Sequence, residues 1–202
     1  NDGSSDGTMA ALAAEEAPWL RVISHETACG KSAAMLTGAR AAKAPICATI
    51  DGDMQNPPSE LVRLIKPLLE DNTGKLGLVA GQRIKRQDTN SKRLASRLAN
   101  GIRKRLLHDD TRDTACGLKA FRTDLFLSLP YFDNIHRFLP ALTRREGFRV
   151  ELMDVEDRER GAGDSKYTNW GRLKVGITDL FGVWWLIRRR KRPTILGEGF
   201  DL

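Results

Sequence analysis

Apolar positions change their period repeatedly along the chain, and each change marks an element. Trp19 to Ser24 is a short run rich in strand formers. After Gly30, the stretch Lys31 to Ala44 is alanine-rich and closed by Pro45, the pattern of a helix. Pro45 to Ile50 then reads as a buried strand that stops at Asp51. A second helix is predicted from Pro58 to Leu69, with proline in its first turn and Leu61, Leu64, Ile65, Leu68 and Leu69 at helical spacing. Leu76 to Ala80 is the next strand.

The second half continues the alternation. Lys92 to Leu107 has the spacing of a basic amphipathic helix, Gly117 to Arg122 of a strand, and Asn134 to Glu146 of a helix ended by Gly147. Arg149 to Val155 alternates as an exposed or edge strand does, and the polar, glycine-containing stretch Arg158 to Asp164 reads as a loop. Gly171 to Arg192 returns to helical periodicity. Strands and helices in alternation argue a mostly parallel α/β sheet with right-handed crossovers, whose ligands sit at the carboxyl ends of the strands. Asp51-Gly52-Asp53 and Gln82-Arg83 fall just past two such ends.

With 202 residues, 41% of them apolar, the expectation is one compact domain. Thirty-three lysines and arginines against 26 acidic residues leave a net charge of +7, which favours anionic partners: nucleic acid, anionic lipid or phosphate-rich small molecules. Nucleic acid is the least expected, because the few aromatics are not interleaved with the basic run Arg188 to Arg192 into a stacking platform. Cys29, Cys47 and Cys116 are isolated and odd in number, so their spacing indicates neither a disulfide framework nor a zinc motif, and a reducing, cytoplasmic compartment fits. No apolar run reaches the ~20 residues of a membrane span, and the N-terminus lacks the basic-then-apolar pattern of a signal. The chain opens on a loop sequence, Asn1 to Thr8, with no strand before it, and reads as starting within a domain.

Asp51 and Asp53, two residues apart at a strand end, project to one side of the sheet and with the Gln55 carbonyl offer hard oxygen ligands for Mg²⁺ or Mn²⁺. The competing reading is a plain turn, since Asp-Gly is a common turn dipeptide. Gly30-Lys31-Ser32 imitates the end of a phosphate-binding loop, but that motif needs a glycine where His25 stands. The helix containing Phe181, Trp184 and Trp185 ahead of five basic residues suits a membrane interface, and equally a core helix with a solvated basic end.

In order and spacing together, Asn-Asp-Gly-Ser-Ser-Asp-Gly-Thr at 1–8, Gly-Lys-Ser-Ala-Ala at 30–34 and Asp-Gly-Asp-Met-Gln-Asn-Pro-Pro at 51–58 resemble the nucleotide-sugar half of a family 2 glycosyltransferase of GT-A fold. Gly81-Gln-Arg83, the Lys92, Ser96 and Asn100 helix pattern, Asp113 to Arg122 and Arg160-Gly-Ala-Gly-Asp-Ser-Lys166 are similar to the branch containing dolichyl-phosphate mannose synthase and bacterial polyprenyl-phosphate relatives. Lys92 stands where that branch has arginine and Leu118-Lys119 where it has Phe-Arg, and its first two strands, which hold the base, have no counterpart.

The resemblance implies a GT-A catalytic domain over 1–168, an amphipathic helix over 169–192 and a tail over 193–202. It implies inverting sugar transfer from GDP-mannose or a UDP-hexose to a polyprenyl phosphate at the cytoplasmic membrane face, with an anionic membrane surface as a further partner. Asp2 and Gly3 would hold the nucleoside, and Asp51, Asp53 and Gln55 the nucleotide and metal. Arg83, Lys92 and Ser96 would hold the acceptor phosphate, and Arg160, Ser165 and Lys166 would close over the phosphates. Such an acceptor is already anionic near neutral pH, its second pKa being about 6, so it needs cations rather than a general base.

Overall fold

The structure, a computed structural model, describes residues 1–84, 101–158 and 169–191, with only the backbone of 169–174. Lys92, Ser96, Arg160, Ser165 and Lys166 lie outside the described residues, as do the first turns of the helix expected from Lys92 and the loop from 159 onward.

The helices are α1 (Thr8–Ala13), α2 (Lys31–Ala41), α3 (Ser59–Glu70), α4 (described over 101–107), α5 (Thr123–Ser128), α6 (Leu139–Arg145) and α7 (Asn169–Arg189), and a 3-10 turn spans Ile135–Arg137. The strands are β1 (Ile46–Thr49), β2 (Leu76–Arg83), β3 (Lys119–Arg122) and β4 (Arg149–Val155). They form one sheet in the order β1-β3-β2-β4. β1, β2 and β4 run in one direction; β3 is antiparallel to both its neighbours and inserted between β1 and β2. The sheet is therefore mixed, where strand–helix alternation alone argued direct parallel neighbours.

Two apolar layers cover the sheet. Leu64 and Leu68 of α3 pack with Val79, Leu118, Ala120 and Val155 on one face. On the other, Leu78, Ala80 and Phe121 meet α5, α6 and Val183 of α7. Leu76 and Leu78 belong to opposite layers although two residues apart, because the β2–β4 ladder shifts register between them. One extra residue reverses the phase of side-chain alternation. β2 is central and buried along almost its whole length, while β4 closes the edge with alternating burial, as expected for it.

Two further sequence expectations change, and one helix is added. Trp19 to Ser24 forms no strand: its backbone has Asn1 alongside, whose amino group donates to the Ile23 carbonyl at 2.8 Å and whose carbonyl accepts from His25 N–H at 3.0 Å, too little for a ladder. The helix expected over Asn134 to Glu146 is two pieces, broken at Phe138 and opened by Asn134 at φ 63°. Thr123 to Ser128 is helical, a turn too short for periodicity to reveal. Among the described residues no helix is long and apolar enough to cross a membrane.

Candidate active site

Register brings four strand ends to one edge. Lys119, the first residue of β3, pairs with Thr49 near the end of β1 and with Ala80 of β2, and Ala80 pairs with Leu152 of β4. Asp51 follows β1 by two residues, Arg83 ends β2, Asp157 follows β4 by two, and Asp113 to Gly117 lead into β3.

Arg83 lays its guanidinium fork on Asp113, with Nε donating to Oδ2 at 2.5 Å and Nη2 to Oδ1 at 3.1 Å, and Nη1 stands 3.7 Å from Asp157. The bond to Asp113 raises the Arg83 pKa further above its usual range. The buried Gln82 side chain accepts from the backbone N–H groups of Arg112 and Asp113 at 2.8 and 2.9 Å, fixing the segment that carries Asp113. Burial raises the Asp157 carboxyl above its ordinary range; Arg83 opposes this, while the negative charges of Asp113 and Asp53 add to it. Asn56 donates to Asp157 at 3.4 Å and Arg158 N–H to the Gln55 carbonyl at 2.8 Å, so the loop after β1 is tied to the end of β4. Within that loop Met54 is exposed at φ 62°, and Gln55 N–H donates to Asp53 at 3.3 Å.

On the other side, Lys31 at the start of α2 pairs with Asp51. The Asp51 carboxylate rests against Gly117, in the space any β-carbon at that position would need. Lys119 is buried and donates to the Cys116 carbonyl. Burial lowers its pKa to about 8, with the positive charge of Lys31 adding and Asp113 and Asp51 opposing. His136, from the 3-10 turn, shares a 2.8 Å hydrogen bond with buried Ser32; burial first, then Lys31, Lys119 and Arg137, lower it to about 3, so the ring is neutral at neutral pH.

Asp2 is set by its own loop. Its carboxylate accepts from Cys29 N–H at 2.8 Å and Gly30 N–H at 2.7 Å and lies 2.8 Å from His25 Nδ1. Burial works against its ionisation, but these bonds outweigh it and hold the group below the usual carboxylate range. Gly3, at φ 66°, lies where a β-carbon would be 2.6 Å from the backbone of Thr27 and Ala28.

Of the expected residues described, Asp51, Asp53 and Arg83 fall in one electrostatically coupled run, Asp53–Asp157–Arg83–Asp113–Lys119–Asp51–Lys31, whose signs alternate from Asp157 onward. Gln55 belongs to the same loop, and Asp2 and Gly3 approach it through Gly30 and Lys31. Asp113, Asp157, Lys119, Lys31 and Gly117 were not singled out as site residues from sequence. Asp157 obeyed the same strand-end rule as Asp51 and could have been found by it. The donor set suits a hard divalent cation: carboxylate oxygens predominate, and their mutual repulsion at Asp157 is what such an ion relieves.

A mixed α/β sheet covered on both faces by helices, with carboxylates and cations gathered at the strand ends, is the GT-A architecture of nucleotide-sugar transferases. The chain belongs to glycosyl transferase family 2, whose family model matches residues 1–129. It is 30% identical over 199 residues to dodecaprenyl-phosphate galacturonate synthase of Rhizobium johnstonii, covering 96% of this chain and 58% of the relative. It is 32% identical over 171 residues to undecaprenyl-phosphate 4-deoxy-4-formamido-L-arabinose transferase of Serratia proteamaculans, covering 83% and 51%. The chain thus spans a little over half the length of these relatives. Among solved structures, glucosyl-3-phosphoglycerate synthase of Mycobacterium tuberculosis, crystallised with Mn²⁺, uridine diphosphate and its glucosylated product, superposes with a TM-score of 0.62 at 21% identity, over 92% of this chain and 66% of that one.

Proposed function

We propose that the chain is the sugar-transferring part of an inverting, metal-dependent enzyme that moves a hexose from a nucleotide diphosphate sugar, GDP-mannose or a UDP-hexose, to a polyprenyl phosphate. The observation that carries this reading is the alternating run of carboxylates and cations at the converging strand ends. It sets the cations Arg83, Lys119 and Lys31 in one row along the strand ends, which suits joining two anions. Asp51, Asp53 and Gln55 would hold a Mg²⁺ or Mn²⁺ ion, which when bound supplies charge neutralisation for a departing diphosphate. Asp2 and Gly3 would receive the nucleoside, and Arg83 with Lys92 and Ser96 the acceptor phosphate. Arg160, Ser165 and Lys166 would cover the phosphates. The relatives named for dodecaprenyl and undecaprenyl phosphate support the acceptor class.

Residues 1–168 form the catalytic unit in this reading, 169–192 a surface helix and 193–202 a tail. Peripheral attachment at the cytoplasmic membrane face belongs to this reading, and α7 supports the attachment. Val183 is buried against the body of the protein, while Ile177, Phe181 and Trp185, at successive helical turns, are 48%, 57% and 55% exposed, and Arg188 and Arg189 lie exposed beyond them.

The test is to extend the protein to the length of its relatives and incubate it with a panel of nucleotide sugars, polyprenyl phosphate and Mn²⁺. The expected outcome is a lipid-linked sugar of inverted anomeric configuration, abolished in Asp53→Ala. Retained configuration would exclude single displacement, and undiminished transfer by Asp53→Ala would remove the metal assignment.

A further inference from the structure

Lys31 stands where the two ends of the site meet. Gly30, just before it, donates its N–H to the Asp2 carboxylate at 2.7 Å, and Ser32, just after it, is buried and shares a 2.8 Å hydrogen bond with His136. The first turn of α2 is therefore held on both sides of Lys31, while the lysine side chain, 32% exposed, reaches across to the partly exposed Asp51 carboxylate. The other two cations of the run lack that freedom: Lys119 is buried and donates to the Cys116 carbonyl, and the Arg83 fork lies on Asp113. We infer that Lys31 couples metal binding to donor binding: its ammonium and a divalent cation compete for Asp51, and the ammonium that yields Asp51 passes to the donor's diphosphate. The inference rests on the function proposed above, in which Asp2 receives the nucleoside and Asp51 and Asp53 the ion.

Charge and reach carry the inference. Two cations brought onto one carboxylate repel each other, and a hard divalent ion holds carboxylate oxygen more strongly than an ammonium does. Asp51 and Asp53 together match the charge of such an ion, which leaves the Lys31 ammonium to another anion. Gly30 and Lys31 are the residues that touch Asp2 and Asp51, so a diphosphate joining a nucleoside at the first to an ion at the second runs past Lys31. A lysine suits the exchange, because its ammonium is a compact charge on a flexible stem and can change partners without moving the backbone. The diphosphate gains negative charge as the sugar leaves it, so an ammonium beside it stabilises the breaking bond more than the intact donor. The coupling is reciprocal: whatever factor the ion adds to nucleotide affinity, the nucleotide adds to that of the ion. Direct contact between ion and phosphate couples them in any case, and the share due to Lys31 is what its replacement removes.

Calorimetric titration of the protein, extended to the length of its relatives, reads the coupling with Mn²⁺ alone, with uridine or guanosine diphosphate alone, and with each in the presence of the other. Lys31→Met is expected to bind Mn²⁺ alone about threefold tighter than the parent, because the competitor for Asp51 is gone, and to bind the nucleotide in the presence of Mn²⁺ about fivefold more weakly. A purely structural lysine would move both affinities in the same direction. Lys66→Met, which removes an equal charge at an exposed position of α3, should change neither. Mn²⁺ affinity unchanged or weakened in Lys31→Met, tightened equally in Lys66→Met, or nucleotide affinity unchanged in Lys31→Met would overturn the inference alone, provided that Asp53→Ala loses Mn²⁺. Failure of the parent to bind Mn²⁺, or undiminished binding by Asp53→Ala, would overturn it together with the metal assignment.

Discussion

Gly117 and Lys119 define the site by exclusion and by charge. A β-carbon at Gly117 would take the place of the Asp51 carboxylate. Asp51 is partly exposed and can swing outward, so Gly117→Ala should cost about 1 kcal/mol or less in stability, yet weaken metal-dependent donor binding at least tenfold. Parallel denaturation and donor titration would check this, and loss of both together would mean that Asp51 cannot move. Lys119 carries a pH signature. Its folded pKa, lowered to about 8 from 10.5, leaves the folded state binding fewer protons than the unfolded state between those values. Stability contributed by this group therefore rises with pH from about 8 to 10.5, and Lys119→Met should flatten that rise. Transfer activity should move the opposite way, falling as the ammonium next to Asp51 loses its proton. The strand-end positions of Asp51, Asp53 and Arg83 were legible in the sequence because a strand end is a local feature. Lys119 was not, because its burial comes from neighbouring strands that sequence order does not place beside it.

Single elements were read well where one period ran unbroken and poorly where backbone geometry intervened. β4 matches its expected range because exposed positions alternate with covered ones: Val150 and Leu152 pack in one layer, Met153 and Val155 in the other, and Arg149, Glu151 and Asp154 stay exposed. The break at Phe138 was written in Pro140, which has no N–H to give to the carbonyl four residues back and so belongs in the first turn of a helix, but the apolar spacing on either side hid it. What holds that junction is a pair no periodicity reveals. Arg103 of α4 meets the fully buried Asp109 at 2.5 Å, donates to the Arg137 carbonyl at 3.0 Å and lies 4.7 Å over the Phe138 ring. Burial lowers its pKa, against the pull of Asp109. Asp109→Ala would leave the guanidinium buried without its counter-charge and should destabilise the protein by roughly 3 kcal/mol, measured by denaturant unfolding. Arg103→Met with Asp109→Leu, which removes both charges, should recover most of that loss. At the far end of the chain, Phe181→Ser with Trp185→Ser should reduce binding to anionic vesicles several-fold while leaving the melting temperature unchanged, because both side chains are exposed and Val183 keeps the helix docked.

For the whole molecule, the α/β class and the site at the strand ends followed from alternation, but the insertion of β3 between β1 and β2 did not. Strand order is set by which edges find partners after the chain has left the sheet and returned, and that information is distributed over the fold. The insertion makes the site one mechanical unit: the segment leading into β3 carries Asp113, which engages Arg83, and Gly117, which supports Asp51. Arg83 was expected to serve the acceptor phosphate, yet both arms of its fork are on Asp113. A lysine keeps the charge but loses the bidentate geometry. If Arg83 acted on the acceptor alone, Arg83→Lys would raise only the acceptor KM. Because its fork positions the segment behind Asp51, the expected result is a rise of at least tenfold in the KM of both donor and acceptor, with a loss of about 1 to 2 kcal/mol in stability from the broken charge-assisted bonds. A change confined to the acceptor would separate Arg83 from the donor side of the sheet.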